Sequence, residues 1–180
     1  MPRDPEIKEL ITPPETVEFT VDKNIVTVKG LKGELSKNLT YPKISITLKN
    51  NTIEIACSDK PKRKEKALIG TYRAHLTNMI KGVSEGFTYT MKTVYSHFPI
   101  KTAVENQEFL IHNFLGERSP RRAEILENVT VEIKGDYVTV TGIDKEKVGQ
   151  TAANIERATK VKKRDIRVFQ DGVYIITKGG

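Results

Sequence analysis

Cysteine and long apolar segments are scarce in this sequence, and each scarcity excludes a class of protein. One cysteine, Cys57, occurs in 180 residues, so no disulfide can form within the chain. Because Ile53 and Ile55 alternate with it in one apolar run, we interpret Cys57 as a small buried hydrophobe. No apolar run approaches the ~20 residues that cross a bilayer, and residues 1–6 contain no apolar signal segment. We therefore expect a soluble intracellular protein without an export signal or membrane contact.

Histidine is also rare, which argues against catalysis and metal binding. The three histidines, His75, His97 and His112, are dispersed, with no pair four residues apart and no His-x-Glu arrangement. Nucleophilic and metal sites need convergent His, Cys, Asp or Glu side chains. Residues 30–33 lack the spacing of a phosphate-binding loop. We predict no catalytic residue, no metal and no cofactor, which favours a binding protein.

Basic residues are abundant, and they are concentrated at one end. The chain has 30 Lys and Arg against 23 Asp and Glu, a net charge of +7. Residues 157–180 hold seven basic and two acidic residues, whereas residues 84–156 carry a net charge of −3. Such segregation is typical of a surface that meets a polyanion, although an ordinary solvated basic surface is the alternative.

Alternating β-branched residues predict hairpins in both halves. Residues 17–21 and 25–29 show this pattern, and residues 129–133 and 137–141 repeat it 112 positions later. The match has no gap over 18 positions and pairs Gly30 with Gly142, so we interpret it as an internal duplication. Further strands are predicted at residues 43–48, 52–56, 87–95, 100–104 and 108–114.

One amphipathic helix is expected in each half. After residue 61, apolar residues recur at spacings of three and four as far as Val83, which predicts the first helix. Gly70 within this helix suggests close packing. Asp144 is a predicted cap for a second helix that extends to about Thr159. We predict an α+β protein of two similar domains, each a mostly antiparallel sheet covered by one amphipathic helix.

Residues 82–86, which include two glycines, separate the halves. We predict an N-terminal domain at residues 1–83, which begins with a loosely ordered extended arm at 1–14, and a C-terminal domain at 84–180. The C-terminal domain is predicted to have an arginine-containing loop at 116–122, strands at 165–169 and 173–176, and a free tail at 178–180.

Several segments in order along the chain carry a family resemblance. They are HLTNMIKGV at 75–83, GFxYxMxxVYxHFPI at 86–100, NFLGE at 113–117 followed by Arg121 and Arg122, and DIRxFxDGxY at 165–174 followed by Lys178. Together they make the sequence resemble large-subunit ribosomal proteins of the L-six family, in its archaeal and eukaryotic branch.

The resemblance implies a structural protein that is docked on large-subunit rRNA rather than an enzyme. It implies a position near the sarcin–ricin loop and the stalk base, beside the landing site of translational GTPases. It also implies that the C-terminal domain makes most of the RNA contact, that neighbouring ribosomal proteins are partners, and that the protein resides in the cytoplasmic large subunit. We expect no homo-oligomer.

The basic end supplies the candidate RNA contacts. Dense Lys and Arg on a rigid scaffold suit folded RNA, which is recognised mainly through shape, phosphates and 2′-hydroxyls. The predicted RNA-binding residues are Arg157, Lys160, Lys162, Lys163, Arg164 and Arg167, then Arg118, Arg121, Arg122 and Lys178. Tyr174 and His97 are candidates for base stacking, and a half-buried strand aromatic is the alternative interpretation of each.

Two other functions stay open at this point. An enzyme acting on nucleic acid would need Asp165 or Asp171 beside the basic residues, although Asp171 before Gly172 favours a turn. A protein-interaction module would instead use the basic surface to bind an acidic protein.

Overall fold

Alternating apolar residues place one face of most strands in a buried cluster, and each of two units has a cluster of its own. The computed structural model describes residues 8–14, 16–22, 25–49, 52–57 and 61–179. Its units are Met1–Glu85 and Gly86–Gly180. Val26 and Val28 are fully buried in the first cluster, and Val138 and Val140 are fully buried in the second.

The first unit pairs short antiparallel strands and covers them with a helix. Its elements are β1 Lys8–Ile11, β2 Glu18–Asp22, β3 Ile25–Gly30, β4 Gly33–Asn38, β5 Ile44–Lys49, β6 Thr52–Cys57 and α1 Arg63–Ser84. The described strands are ordered β2–β3–β4 and β1–β6–β5. Tyr72, Leu76 and Val83 on α1 are buried, which confirms the predicted apolar stripe, and Cys57 is buried as expected.

The second unit adds one strand beyond its helix. Its elements are β7 Phe87–Val94, β8 Lys101–Glu105, β9 Glu108–His112, β10 Arg121–Glu124, β11 Val129–Lys134, β12 Tyr137–Gly142, α2 Lys145–Ala158 and β13 Gly172–Gly179. These strands are ordered β10–β9–β8 and β11–β12–β7–β13, and all of their pairings are antiparallel. The described residues contain one α-helix in each unit, and the second unit also has a short 3₁₀ helix at Phe114–Gly116, so the predicted α+β class is confirmed.

Strand order reveals how the two units correspond. The order β5–β6–β1 matches β11–β12–β7, β2–β3–β4 matches β8–β9–β10, and each set is followed by a helix. The predicted duplication is therefore confirmed, but the alignment that suggested it is out of register. The hairpin β2–β3 corresponds to β8–β9, not to β11–β12.

The physical reason is that different hairpins share one pairing pattern. Phe19 lies opposite Val28 in β2–β3, and Val131 lies opposite Val140 in β11–β12, 112 residues later. Both hairpins need the same alternation of inward apolar residues. The pattern therefore predicts a hairpin with one buried face, but it does not indicate where that hairpin lies in the fold.

Three details of the first unit differ from prediction. Residues 8–11 of the expected loose arm form β1, which pairs with β6 and whose Lys8 Nζ lies 3.3 Å from Glu54 Oε1, while residues 1–7 lie outside the described residues. Helix α1 extends to Ser84, after which the Glu85 backbone N–H donates to Lys81 O at 2.8 Å, and the units divide after Glu85.

Gly70 is not a close-packing position. It is exposed on α1, and a Cβ built there would meet nothing within 4 Å. The close packing is at Gly30 instead, because a Cβ built there would lie 2.8 Å from both Val83 Cγ2 and Val83 O.

Candidate nucleic-acid interface

The candidate interface is built on the junction between α2 and β13. Asp144 caps α2 as predicted, accepting from the Glu146 backbone N–H at 2.9 Å. At the other end Thr159 is buried, and its Oγ1 donates to Glu156 O at 3.1 Å and accepts from the Val173 N–H at 3.0 Å. The hydroxyl therefore ties the end of the helix to the start of the strand. Residues 160–171, called the basic loop below, span the interval between these two points.

The basic loop contains no strand at 165–169, so this prediction was wrong. Asp165 Oδ1 accepts from the Arg167 N–H at 2.9 Å, and Asp165 O accepts from the N–H groups of Val168 and Phe169 at 3.2 and 2.9 Å. A short acidic side chain that binds the backbone two residues ahead stabilises a turn at the expense of a strand. The turn keeps the flanking cations in the loop, outside the sheet.

Six predicted phosphate contacts lie exposed in or beside the basic loop. They are Arg157, Lys160, Lys162, Lys163, Arg164 and Arg167. Arg157 is in the last turn of α2, where the partial negative charge of a helix end favours a cation. Lys163 has φ +59°, so the chain adopts a left-handed conformation there.

Arg121 is not in a loop as expected, because it begins β10. Its guanidinium donates to Glu117 at 2.6 and 2.8 Å, and to the carbonyls of Ala158 and Lys160 at 2.9 and 3.1 Å. It also lies 4.2 Å from the centroid of the Phe114 ring. These contacts, called the Arg121 clasp below, attach the start of the basic loop to β10.

The Arg121 clasp lowers the pKa of Glu117. The Arg121 side-chain hydrogen bond is the main reason that the pKa of the Glu117 carboxyl lies below its ordinary value, and the charge of Arg164 acts in the same direction. The Arg121 side chain is 23% exposed, so it is partly withdrawn from solvent.

A cationic cavity lies where these elements meet. Its volume is about 310 Å³, and it is lined by Arg121, Arg122, Arg157, Ala158 and Lys162. The fold thus brings together four predicted cations from β10, the end of α2 and the basic loop. Arg122 also pairs with Glu108 at 3.2 Å on the exposed side of β10. A concave site lined with Arg and Lys is suited to phosphate oxygens.

An apolar cavity shares one wall with the cationic cavity. Its volume is about 440 Å³. The lining residues are Glu156, Arg157, Thr159, Lys160, Val161, Ile166, Phe169, Gln170 and Tyr174. Arg157 lines both cavities, so a hydrophobic recess and a cationic recess lie side by side.

The two aromatic candidates have different surroundings. The His97 ring packs against Phe169, with centroids 5.3 Å apart, and the Arg164 guanidinium lies 4.8 Å from the same Phe169 ring. Tyr174 is exposed and lines the apolar cavity, and its hydroxyl donates to Gln170 O at 3.0 Å. Partial desolvation of the ring and hydroxyl is the main reason that the pKa of Tyr174 is raised, followed by the negative charges of Asp171 and Glu156.

Two predicted cations lie outside the basic loop and line neither cavity. Arg118 is exposed in the segment before β10. Lys178 was expected in a free tail, but it lies in β13 opposite Tyr89 of β7. The tail was mispredicted because two glycines follow Lys178, although Gly179 still pairs with Thr88. Gly180 lies outside the described residues.

Sequence reasoning missed the apolar part of the candidate interface. Ile166 and Val168 are 69% and 58% exposed in the middle of a strongly charged segment. Their type had suggested strand residues, and it was the turn at Asp165 that left them facing solvent. Apolar side chains between cations were the available signal.

The acids considered for an enzyme do not form a recognisable centre. Asp165 is bound by Arg167 through the guanidinium, with Nη2 to Oδ2 at 2.9 Å, and Asp171 is fully buried and accepts from the Ser96 N–H at 3.1 Å. Within the described ranges, no group of three or more His, Cys, Asp or Glu could hold a metal ion. In the same part of the chain, no helix has the length and apolarity needed to cross a membrane.

Comparison with known proteins decides the family. The family model for Ribosomal protein L6 matches residues 13–86 and again residues 98–172. The chain belongs to the ribosomal protein L6 family. The predicted resemblance is confirmed, and the relatives are ribosomal proteins rather than enzymes. The two matches cover β2 to α1 and β8 to α2, in agreement with the correspondence read from strand order.

Two archaeal relatives of this family are similar over nearly the whole chain. One is the "Large ribosomal subunit protein uL6" of Methanobrevibacter smithii, 52% identical over 172 residues, which are 96% of each chain. The other has the same name in Methanococcus vannielii and is 48% identical over 174 residues, 97% of this chain and 95% of the relative.

Proposed function

We propose that this protein is a structural component of the large ribosomal subunit that binds large-subunit rRNA through its second unit. The cationic cavity carries the proposal. Arg121, Arg122, Arg157 and Lys162 come from three segments of the chain and converge on one recess. Positive residues from distant segments that share a concave surface are suited to the phosphates of a folded RNA.

The finer placement rests on the family resemblance. In this proposal the second unit lies near the sarcin–ricin loop and the stalk base, beside the landing site of translational GTPases, in the cytoplasmic large subunit. Neighbouring ribosomal proteins are the other partners. In the described residues of the first unit, no segment corresponds to the basic loop or β13, which supports a docking and spacing role for it.

Salt dependence tests the RNA contacts. Removal of each phosphate contact should reduce the slope of log K against log salt by about 0.7 to 0.9, because fewer counterions are released on binding. We therefore expect Lys162→Ala, Lys163→Ala and Arg164→Ala together to flatten the slope for a large-subunit rRNA fragment. Filter binding or fluorescence anisotropy over a series of salt concentrations measures it.

A charge-matched control is available in the first unit. Lys62, Arg63 and Lys64 are exposed at the start of α1, so replacing all three by Ala removes the same charge elsewhere. This variant should keep most of the original slope. Equal slopes for the wild type and the basic-loop variant would overturn the proposal.

A further inference from the structure

We propose that the apolar cavity of the second unit holds one unstacked RNA base, while the phosphate next to that base lies on Arg157. The inference rests on the proposed rRNA-binding function and deepens it. The cationic cavity alone accounts for phosphate binding, whereas the apolar cavity adds a recess that phosphates do not need.

The lining of the cavity suits a flat, partly apolar ligand. Ile166, Phe169 and Tyr174 form its apolar wall, and its volume of about 440 Å³ is within the range of pockets that bind small molecules. Ile166 is 69% exposed, although an apolar side chain gains nothing by facing water. A base stacked in the recess would cover this surface.

Tyr174 is a preformed stacking platform. Its hydroxyl is held by Gln170 O at 3.0 Å, and its ring packs so closely on Gly172 that a Cβ there would lie 3.0 Å from Tyr174 Cζ. Because the ring is already fixed, stacking on it costs little additional side-chain entropy. Phe169 is less suited to this role, because His97 and Arg164 already contact its ring.

Glu156 gives the cavity a hydrogen-bond acceptor. A carboxylate repels phosphates, so its presence inside a cationic surface fits the edge of a base better than the backbone. Carboxylates accept hydrogen bonds from exocyclic amino groups, as on cytosine. Glu156 and Tyr174 both line the cavity, and the charge of Glu156 is one of the causes of the raised pKa of Tyr174. We therefore expect a base with an amino group to be preferred over uracil.

Charge selects RNA over an apolar peptide as the occupant. Arg157 belongs to both cavities, and Lys160 lines the apolar one. A nucleotide presents an apolar face and an anionic phosphate in the same arrangement as the two recesses. An apolar protein segment would fill one recess and leave Arg157 without an anion.

Binding of short single-stranded RNAs to the full chain tests the inference. The probes are 5′-labelled octamers of adenosine, cytidine and uridine, and an octamer with the same phosphates but abasic sugars. Removing one stacked base costs about 1–3 kcal/mol, so the abasic octamer should bind at least about fivefold more weakly than the adenosine and cytidine octamers. The uridine octamer should bind more weakly than the cytidine octamer.

Variants localise the effect. Tyr174→Leu should lower affinity for the adenosine octamer at least about fivefold, leave the abasic octamer unaffected and leave the salt slope unchanged, because no phosphate contact is removed. Tyr174→Phe keeps the ring and should retain the preference for bases. Tyr137→Leu is the matched control, because Tyr137 is an exposed tyrosine on β12 that does not line the cavity.

Several outcomes would overturn the inference. These are equal binding of abasic and base-bearing octamers, equal losses for both probes in Tyr174→Leu, or no octamer binding at low salt. If the rRNA fragment still binds with a slope that depends on Lys162, Lys163 and Arg164, only the base site fails. If that slope also fails to depend on them, the proposed function fails too.

A crosslinking experiment distinguishes the possible occupants in assembled subunits. The variant Ile166→p-benzoylphenylalanine places a photoreactive group in the cavity wall of the full-length protein. Adducts with an rRNA nucleotide support the inference. Adducts confined to a neighbouring ribosomal protein would show a protein occupant and overturn it.

Discussion

At the scale of single residues, Arg121 combines structural contacts with a place in the candidate RNA-binding surface. Its guanidinium makes hydrogen bonds to Glu117 and to two backbone carbonyls, and it still lines the cationic cavity. The fork geometry of arginine permits several such bonds, whereas a lysine ammonium is a single point charge. We infer that Arg121 positions the start of the basic loop as well as contributing charge.

The Arg121 clasp predicts a pH dependence of stability. Because the folded-state pKa of Glu117 is lowered, its contribution is complete above the ordinary glutamate value and is lost as pH falls through the lowered pKa. Glu117→Gln should therefore be less stable than wild type at neutral pH, with the difference closing in acid. Urea midpoints measured from pH 7 down to pH 3 test this.

A control separates the clasp from general charge effects. Glu127→Gln removes an exposed carboxylate from the segment after β10 without touching Arg121. The prediction fails if the Glu117→Gln and wild-type curves stay parallel throughout the acid range.

Two glycines provide a second residue-level prediction, because alanine should lower the free energy of unfolding at one of them and raise it at the other. Gly30→Ala should destabilise by about 1–3 kcal/mol, because its Cβ would lie 2.8 Å from Val83 O and force overpacking. Gly70→Ala should stabilise by about 0.5–1 kcal/mol, because it adds helix propensity to α1 without a contact inside 4 Å. Chemical denaturation of both variants measures the two effects, and the same sign for both would contradict the packing argument.

At the scale of elements, the junction of α2, the basic loop and β13 determines where the cations lie. The loop starts at the Arg121 clasp and ends where β13 pairs with β7. Thr159 joins the two ends through its hydroxyl. The loop thus has fixed ends and a short internal turn at Asp165, and its Lys162 lines the cationic cavity together with Arg157 and with Arg122 of β10.

Thr159→Val tests this junction. The substitution keeps the shape of the side chain but leaves the buried Val173 N–H without its acceptor, so we expect a loss of about 1–3 kcal/mol in the free energy of unfolding. Thr177→Val on the exposed part of β13 is the control and should change stability by less than about 0.5 kcal/mol. Similar effects of both substitutions in urea unfolding would contradict the proposed tie.

At the scale of the whole molecule, the duplicated units differ in the chain segment after their helix. The second unit has its own buried core and continues into the basic loop and β13, whereas the described part of the first unit ends with α1. Duplication supplied two scaffolds, and the extension supplied one of them with most of the candidate RNA contacts.

This difference predicts how binding divides between the units. Residues 86–180 expressed alone should fold, because their core is internal, and should keep most of the salt slope of the full chain for an rRNA fragment. Residues 1–85 alone should bind with a much shallower slope. Comparable slopes for the two pieces would contradict an RNA surface concentrated in the second unit.

The sequence by itself determined the α+β class, the helix in each half, the buried position of Cys57 and the cationic character of the C-terminal end. These features depend on local periodicity and composition, which are written along the chain. The family resemblance was also readable, because it rests on ordered motifs. The correct alignment of the two repeats could not be read from the sequence, since alternating hairpins such as β2–β3 and β11–β12 look alike.

Only the tertiary structure decided which cations meet. Arg121 and Arg157 are 36 positions apart in the sequence, and they converge because β10 lies beside the end of α2. The turn at Asp165, the pairing of Lys178 within β13 and the exposed apolar wall around Ile166 likewise depend on long-range contacts or on competition between local bonds. Charge content is a property of the chain, but a charged cavity is a property of the fold.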